Sequence, residues 1–78
     1  MMIETMTPAV VAICQCIIAY GGFLSWETID RVVFYGVADE HLLQSMLREM
    51  AKDGLLKRIS NGCFDITDRG RRFVEQQT

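Results

Sequence analysis

The sequence has few residues that could support catalysis. It contains one histidine and one proline among 78 residues. The histidine, His41, stands without a positioned serine or cysteine nucleophile, and the chain has no glycine-rich phosphate loop and no paired-carboxylate motif. We therefore expect a non-enzymatic protein with no cofactor and no small-molecule ligand.

Cysteine is also scarce, and its spacing is unsuited to a metal. Three cysteines are present, and an odd number fits a reducing compartment better than a disulfide framework. Cys14 and Cys16 lie in a predicted helix, about 200° apart around its axis. They cannot both point at one ion, so we expect no metal site. Cys14 is predicted to be a small core residue, and Cys63 is predicted to lie in a turn.

Long hydrophobic runs are missing as well. The most apolar stretch, residues 8–24, is interrupted by Gln15 and by two glycines. A membrane-spanning helix needs about 20 consecutive apolar residues. The preceding segment contains Glu4 and no lysine or arginine, so it lacks the positive region of a secretory signal. We expect a cytoplasmic protein with no membrane partner.

The composition is that of one ordinary globular domain covering residues 1–78. Hydrophobic residues make up 50% and charged residues 23%, without a linker or an internal repeat. The net charge of −2 is unevenly placed. Residues 1–40 carry five acidic side chains against one basic, whereas residues 41–78 carry seven basic against five acidic. A mildly basic second half is compatible with nucleic-acid binding.

The first predicted helix covers residues 7–20. Thr7 can accept a hydrogen bond as N-cap, and Pro8 suits the first helical position. Gly21 and Gly22 can adopt the positive φ of a C-terminal stop.

This helix is predicted to be apolar on two sides. Gln15 is the only clearly polar side chain in its interior. A helix that is apolar all round is buried on more than one side, but a chain of this size is not expected to cover both faces. The second face is therefore predicted to contact another copy, as a homodimer, or another protein, through Val11, Gln15, Ile18 and Ala19.

Two further helices are predicted to be joined by a short turn. Ser25 can cap the second, which Phe34 and Tyr35 close before Gly36. The third runs from about residue 39 to residue 53 and stops at Gly54. A short turn containing glycine is typical of a helix-turn-helix. The apolar spacing predicts that the core-facing residues are Trp26, Ile29, Val32 and Val33 in helix two, and Leu43, Met46, Leu47 and Met50 in helix three.

A β-hairpin is predicted next, with strands over residues 55–60 and 63–67. Asn61-Gly62 favours a two-residue type I′ turn. Closing the hairpin on this turn places Ile59 opposite Phe64 and Arg58 opposite Asp65. The first pair is apolar and the second is oppositely charged, so both support the same register.

The chain ends in a short predicted helix. Thr67 is its expected N-cap, and Asp68 lies in the first turn. Phe73 and Val74 are expected to anchor it. Gly70 has no side chain, so it allows a close approach to the element against which it packs.

Two stretches carry a family resemblance. Residues 47–58, LREMAKDGLLKR, and residues 64–73, FDITDRGRRF, resemble the recognition-helix end and the post-wing ending of winged helix-turn-helix regulators. The resemblance covers residues 7–75. It implies an α+β, mostly helical winged helix-turn-helix fold of three helices, a two-stranded wing hairpin and a short C-terminal helix. The wing turn is shorter than usual, and the family's additional dimerisation helices have no room here.

The resemblance also implies a nucleic-acid surface. In the family, helix three enters the major groove and the wing contacts phosphates. The outer face of helix three offers hydrogen-bond donors and no acid, whereas Asp39 and Glu40 at its amino end would repel phosphates. The predicted nucleic-acid residues are His41, Gln44, Ser45, Arg48 and Lys52 on helix three, Lys57 and Arg58 on the wing, and Arg69, Arg71 and Arg72 after it.

Two functions remain open from the sequence. The first is a small DNA-binding transcription regulator. The second is a protein-binding module on the same fold, an adaptor or a phage protein that inhibits a host defence complex in the manner of anti-CRISPR proteins. The acidic pI of about 5.2 and the two-sided apolar helix favour the second. The outer face of helix three favours the first.

Overall fold

Four helices and a three-stranded antiparallel sheet make up an α+β, mostly helical fold within the part of the chain that the structure describes. The structure is a computed structural model, which describes the backbone of residues 2–77 and the side chains of residues 8–77. The elements are α1 (Met2–Ala19), β1 (Leu24–Ser25), α2 (Trp26–Phe34), α3 (Glu40–Lys52), β2 (Leu56–Ser60), β3 (Cys63–Ile66) and α4 (Asp68–Gln77).

Helix α1 begins earlier than predicted and ends as predicted. Its first residue is Met2, so Pro8 lies inside the helix and the expected start at Thr7 is wrong. The Thr7 side chain, the expected cap, lies outside the described side chains. The fixed φ of proline is itself helical, so the chain continues through Pro8 with the loss of one hydrogen bond. At the other end, Gly21 has φ +77°, and the Gly22 amide donates to a carbonyl five residues earlier, which closes a Schellman motif.

Side-chain caps define the starts of α2 and α3, and the sequence predicts the first of them, at Ser25. Ser25 Oγ accepts from the amide of Thr28 at 3.3 Å. Asp39 Oδ1 accepts from the amide of Leu42 at 3.0 Å. The turn between the two helices is held by a third carboxylate, because Asp30 Oδ1 accepts from the Ala38 amide at 3.0 Å. The turn therefore has a defined conformation.

The sheet contains a strand that the sequence did not predict. Strand β3 lies in the middle, with β1 on one side and β2 on the other. Strand β1 is only two residues long, with Leu24 opposite Phe64 and Ser25 opposite Cys63. Two residues have no detectable alternation, so only pairing with β3 makes this segment a strand. Cys63, expected in a turn, is the first residue of β3.

The predicted hairpin forms, but its register is wrong by one residue. Arg58 lies opposite Phe64 and Lys57 opposite Asp65, with an irregularity at Ile59, which is 47% exposed. The extra residue is the mark of a β-bulge.

The turn of the hairpin explains the shift. Only Gly62 has a positive φ there, whereas a type I′ turn requires one at Asn61 too. Gly62 O accepts from the Trp26 amide at 2.7 Å, and a Cβ on Gly62 would lie 2.9 Å from the Trp26 ring. The turn is thus docked on the start of α2, a long-range contact that local sequence signals do not contain.

The core is built around α1, which packs against α2, α4 and β3. Cys14 is completely buried, as predicted. Val32, predicted to face the core, is instead 40% exposed, because it lies beside the line of Ile29 and Val33 and not on it. Within residues 2–77, no helix combines the length and the hydropathy that crossing a membrane requires. The buried cluster consists of Ile13, Cys14, Ile17, Ile29, Leu43, Leu47, Met50, Leu56, Phe64 and Ile66.

Thr67 joins the end of α3 to the start of α4. Its Oγ1 lies 2.6 Å from Gly54 O and 2.9 Å from Leu55 O, so the hydroxyl donates to this pair of carbonyls. The same oxygen accepts from the Gly70 amide at 2.9 Å and so caps α4, as predicted. A Cβ on Gly70 would lie 2.2 Å from Leu55 O and 2.7 Å from the Ile66 side chain. Helix α4 can approach Leu55 and Ile66 this closely only because residue 70 is glycine.

We expect Gly70→Ala to lower the free energy of unfolding by at least about 2 kcal/mol, because the new methyl group would collide with backbone. Alanine is normally more favourable than glycine in a helix interior. A loss of stability in Gly70→Ala would therefore indicate the collision and not helix propensity. Urea unfolding would measure it. Gly22→Ala is the matched control, because a Cβ there meets nothing within 4 Å, and its stability should change by less than about 0.5 kcal/mol. Wild-type stability in Gly70→Ala would contradict the close packing.

Candidate nucleic-acid interface

A shallow, open groove runs between α3 and strand β2. Four of its lining side chains are cationic, and none of the side chains that line it in the described part of the chain is acidic. We call it the basic groove. Its lining residues are Arg48, Ala51, Lys52, Leu56, Lys57, Arg58 and Thr67.

Helical periodicity places the charges of one wall of the basic groove, and two consecutive strand residues supply those of the other. Arg48 and Lys52 are four residues apart on α3, so they project from one face in successive turns. Lys57 and Arg58 follow on β2, the edge strand of the sheet next to α3. All four side chains are exposed, so their charges remain available to a polyanion.

Arg58 has a different partner from the predicted one. Its Nη2 donates to Asn61 Oδ1 at 2.5 Å, which ties the guanidinium to the turn of the hairpin. Asp65, the expected partner, lies opposite Lys57, and its own Oδ1 accepts from the Ile66 amide at 2.7 Å. The register shift at Ile59 causes this exchange. The expected Arg58–Asp65 pair is therefore wrong, and the Arg58 guanidinium bonds to Asn61 instead.

The floor of the basic groove lies at Thr67, which joins the end of α3 to the start of α4. Leu56 is 2% exposed and belongs to the core, whereas the Thr67 hydroxyl bonds to the carbonyls of Gly54 and Leu55 between the two walls. Helix α3 and strand β2 are therefore held in a fixed relation. A binding surface needs such rigidity to keep its cations in register with phosphates.

The amino-terminal part of α3 does not reach the basic groove. His41 and Ser45 are exposed and continue the stripe of Arg48 toward the start of the helix. Gln44 Nε2 donates to Glu40 Oε2 at 3.0 Å, so this amide is already engaged. The predicted outer face of α3 therefore divides into two halves. The carboxyl-terminal half is cationic, and the amino-terminal half is less favourable for contact with nucleic acid.

The arginines of α4 also lie outside the basic groove. Arg69 and Arg72 line a second groove together with Phe73, and the two grooves share no lining residue. Asp53 is part of that second lining and reduces its positive charge. Arg71 is exposed and lines neither groove. The predicted nucleic-acid residues thus fall into three separate places.

The predicted interface on α1 is only partly exposed. Gln15 and Ala19 are exposed, and Val11 is half-buried. Ile18 packs against the core cluster. The second face of this helix is therefore more covered than its apolar sequence suggested, since α2 and α4 both pack against α1.

Sequence reasoning missed an exposed apolar surface around the turn between α2 and α3. The side chains are Val32, Tyr35, Val37 and Leu42, with exposures of 40%, 85%, 82% and 72%. We call it the turn patch. A signal for it was present in the sequence, because Leu42 lies off the helical stripe of Leu43 and Leu47.

The thiols are poorly suited to nucleophilic chemistry. Burial raises the pKa of Cys14 to about 11 from an ordinary value of 9.0, and it also raises the pKa of Cys16. Thiolate is the reactive form, so both side chains are almost wholly protonated at neutral pH. Among residues whose side chains are described, no three histidine, cysteine, aspartate or glutamate side chains are grouped so that they could hold a metal ion.

We expect a thiol reagent at pH 7.5 to modify Cys63 in the native protein and to reach Cys14 and Cys16 only after unfolding. Cys63 is half-buried, whereas the other two are buried. Because the folded-state pKa of Cys14 is raised, its contribution to stability is complete below pH 9 and is lost as the pH rises through about 11. Mass spectrometry of the labelled protein with and without urea would count the modified sites. Rapid labelling of three sites in the native protein would contradict the described core.

Comparisons with protein-family models, with curated proteins and with solved structures find no match to this chain.

Proposed function

We propose that this protein is a small, non-enzymatic DNA-binding regulator of the winged-helix type. The observation that carries the proposal is the basic groove, in which Arg48 and Lys52 of α3 face Lys57 and Arg58 of β2 without an acidic side chain in the lining. The order of the elements, with a helical pair followed by a hairpin beside the second helix, supports it too.

The chemistry of the groove suits a phosphodiester backbone. Guanidinium groups bind phosphate oxygens in a bidentate manner, and lysine ammonium groups act as point charges. When the protein's cations neutralise phosphates, counterions are released from the DNA. The affinity for DNA therefore falls as the salt concentration rises. Four contacts would give a slope of roughly −3.6 in a plot of log K against log salt concentration.

The amino-terminal end of α3 limits how this protein can read DNA. Asp39 and Glu40 are exposed there and would repel phosphates. Gln44 is held by Glu40, which leaves its amide less free to contact a base. His41 and Ser45 remain available as donors to base edges. We therefore infer that phosphate contacts supply most of the affinity, and that base-specific contacts are few.

We expect Arg48→Ala and Lys57→Ala each to weaken binding to a mixed-sequence DNA duplex by about five- to tenfold near 50 mM salt and to reduce the salt slope by about 1. Fluorescence anisotropy across a salt series would measure both quantities. The matched control is Arg71→Ala, which removes the same charge from an exposed position outside both grooves. Its affinity should stay within about twofold of wild type.

Two results would contradict the proposal. One is an equal loss of affinity in Arg71→Ala and Arg48→Ala, which would mean that only net charge matters. The other is the absence of wild-type binding even at low salt.

A further inference from the structure

The turn of the hairpin contains the only asparagine of the sequence, and a glycine follows it. Asn61 and Gly62 connect Ser60, the last residue of β2, to Cys63, the first residue of β3. An Asn-Gly pair is favoured in such turns. It is also the pair in which a backbone amide attacks the preceding side-chain amide most readily, because glycine has no side chain that obstructs the approach. The turn therefore contains both reacting groups of an intramolecular reaction.

The hydrogen bonds of the turn leave its nucleophile unengaged. Asn61 is exposed to solvent. Among the described residues, the Gly62 amide has no hydrogen-bond partner, whereas the Gly62 carbonyl accepts from the Trp26 amide at 2.7 Å. The contact that docks the turn thus uses the carbonyl of Gly62 and not its nitrogen. Because nucleophile and electrophile belong to adjacent residues, no loss of translational freedom opposes their reaction.

Arg58 adds a cationic donor at the reacting group. Its Nη2 donates to Asn61 Oδ1 at 2.5 Å. Oδ1 is the atom on which negative charge develops when a nucleophile attacks Cγ of the same side chain. A guanidinium at this position withdraws electron density from Cγ and stabilises the developing charge. Arg58 is exposed, so this stabilisation is smaller than it would be in a site that excludes water.

We propose that Asn61 is a site of spontaneous deamidation and that Arg58 promotes the reaction. The Gly62 nitrogen gives up its proton to solvent and attacks Cγ of Asn61. The Cγ–Nδ2 bond breaks, and Nδ2 takes a proton from solvent and leaves as ammonia. Water then adds to either carbonyl of the five-membered succinimide, and one of its carbon–nitrogen bonds breaks. The product at position 61 is aspartate or isoaspartate, and water is the sole co-reactant.

Deamidation changes the charge of the basic groove. A carboxylate replaces a neutral amide, so the net charge of the chain moves from −2 to −3. In the aspartate product, the carboxylate takes the place of the amide that Arg58 already contacts, and the hydrogen bond becomes an ion pair. Arg58 is one of the four cations of the basic groove, and this ion pair competes with phosphate. Deamidation therefore lowers the affinity for DNA, a consequence that rests on the proposed function.

The DNA consequence has its own test. Asn61→Asp reproduces the aspartate product, and we expect it to weaken duplex binding about fivefold near 50 mM salt and to reduce the salt slope by about 1. Asn61→Gln is the matched neutral control and should bind within about twofold of wild type. Equal binding by Asn61→Asp and wild type would overturn this consequence. Absence of wild-type binding would instead overturn the proposed function, and it would leave the deamidation result unaffected.

Peptide mapping by mass spectrometry tests the reaction without DNA. During incubation of the native protein at about 37 °C and pH 8, we expect the peptide that contains Asn61 to gain about 1 Da, because ammonia is exchanged for water. Arg58→Ala should slow this conversion at least about threefold, whereas Arg58→Lys should retain most of the rate, since an ammonium group also donates. Lys57→Ala is the matched control, because it removes an equal charge from the preceding residue, which lies opposite Asp65. Its rate should equal that of wild type.

A parallel incubation in urea separates the role of the fold from that of the sequence. Unfolding removes the contact between Arg58 and Asn61, so wild type and Arg58→Ala should then deamidate at equal rates. Three results would overturn the proposal. The first is an intact Asn61 in the native protein under conditions in which it reacts in urea. The second is an equal native rate in wild type and Arg58→Ala. The third is an equal slowing in Lys57→Ala and Arg58→Ala.

Discussion

The hydrogen bonds of the Thr67 hydroxyl hold together the parts of this small fold that matter most. This group donates to the carbonyls of Gly54 and Leu55, just after α3, and accepts from the Gly70 amide in the first turn of α4. Gly70 then lets α4 lie against the backbone of Leu55. Because α3, β2, β3 and α4 all begin or end within a few residues of this point, their relative orientation depends on it. A chain with so small a core has few other means of fixing these elements.

The proposed function depends on that junction. The basic groove has one wall from α3 and one from β2, and Thr67 lies between them. The two backbone segments that carry its four cations are therefore held in a fixed relation. The two ends of α3 differ in chemistry, since cations lie at the carboxyl end and an apolar, partly acidic surface lies at the amino end.

Much of the fold could be predicted from local signals, whereas the exact sheet could not. Ser25 and Gly54 mark helix ends through short-range hydrogen bonds and a positive φ, and such effects are visible in the sequence. The strand register was missed because Gly62 is docked on Trp26, which is distant in the chain. The charges of the basic groove could be predicted from the sequence, whereas their grouping in the fold could not. The charges were evident from composition, but periodicity alone could not tell that Arg71 lies apart from Arg48.

We propose that nucleic acid contacts the groove between α3 and β2. Titration of the ¹⁵N-labelled protein with a short mixed-sequence duplex, followed by amide chemical shifts, tests it most directly. We expect the largest shifts over residues 48–52 and 56–60, and we expect them to disappear at high salt. Largest shifts over residues 35–42 or on α4, or no shifts at low salt, would contradict it.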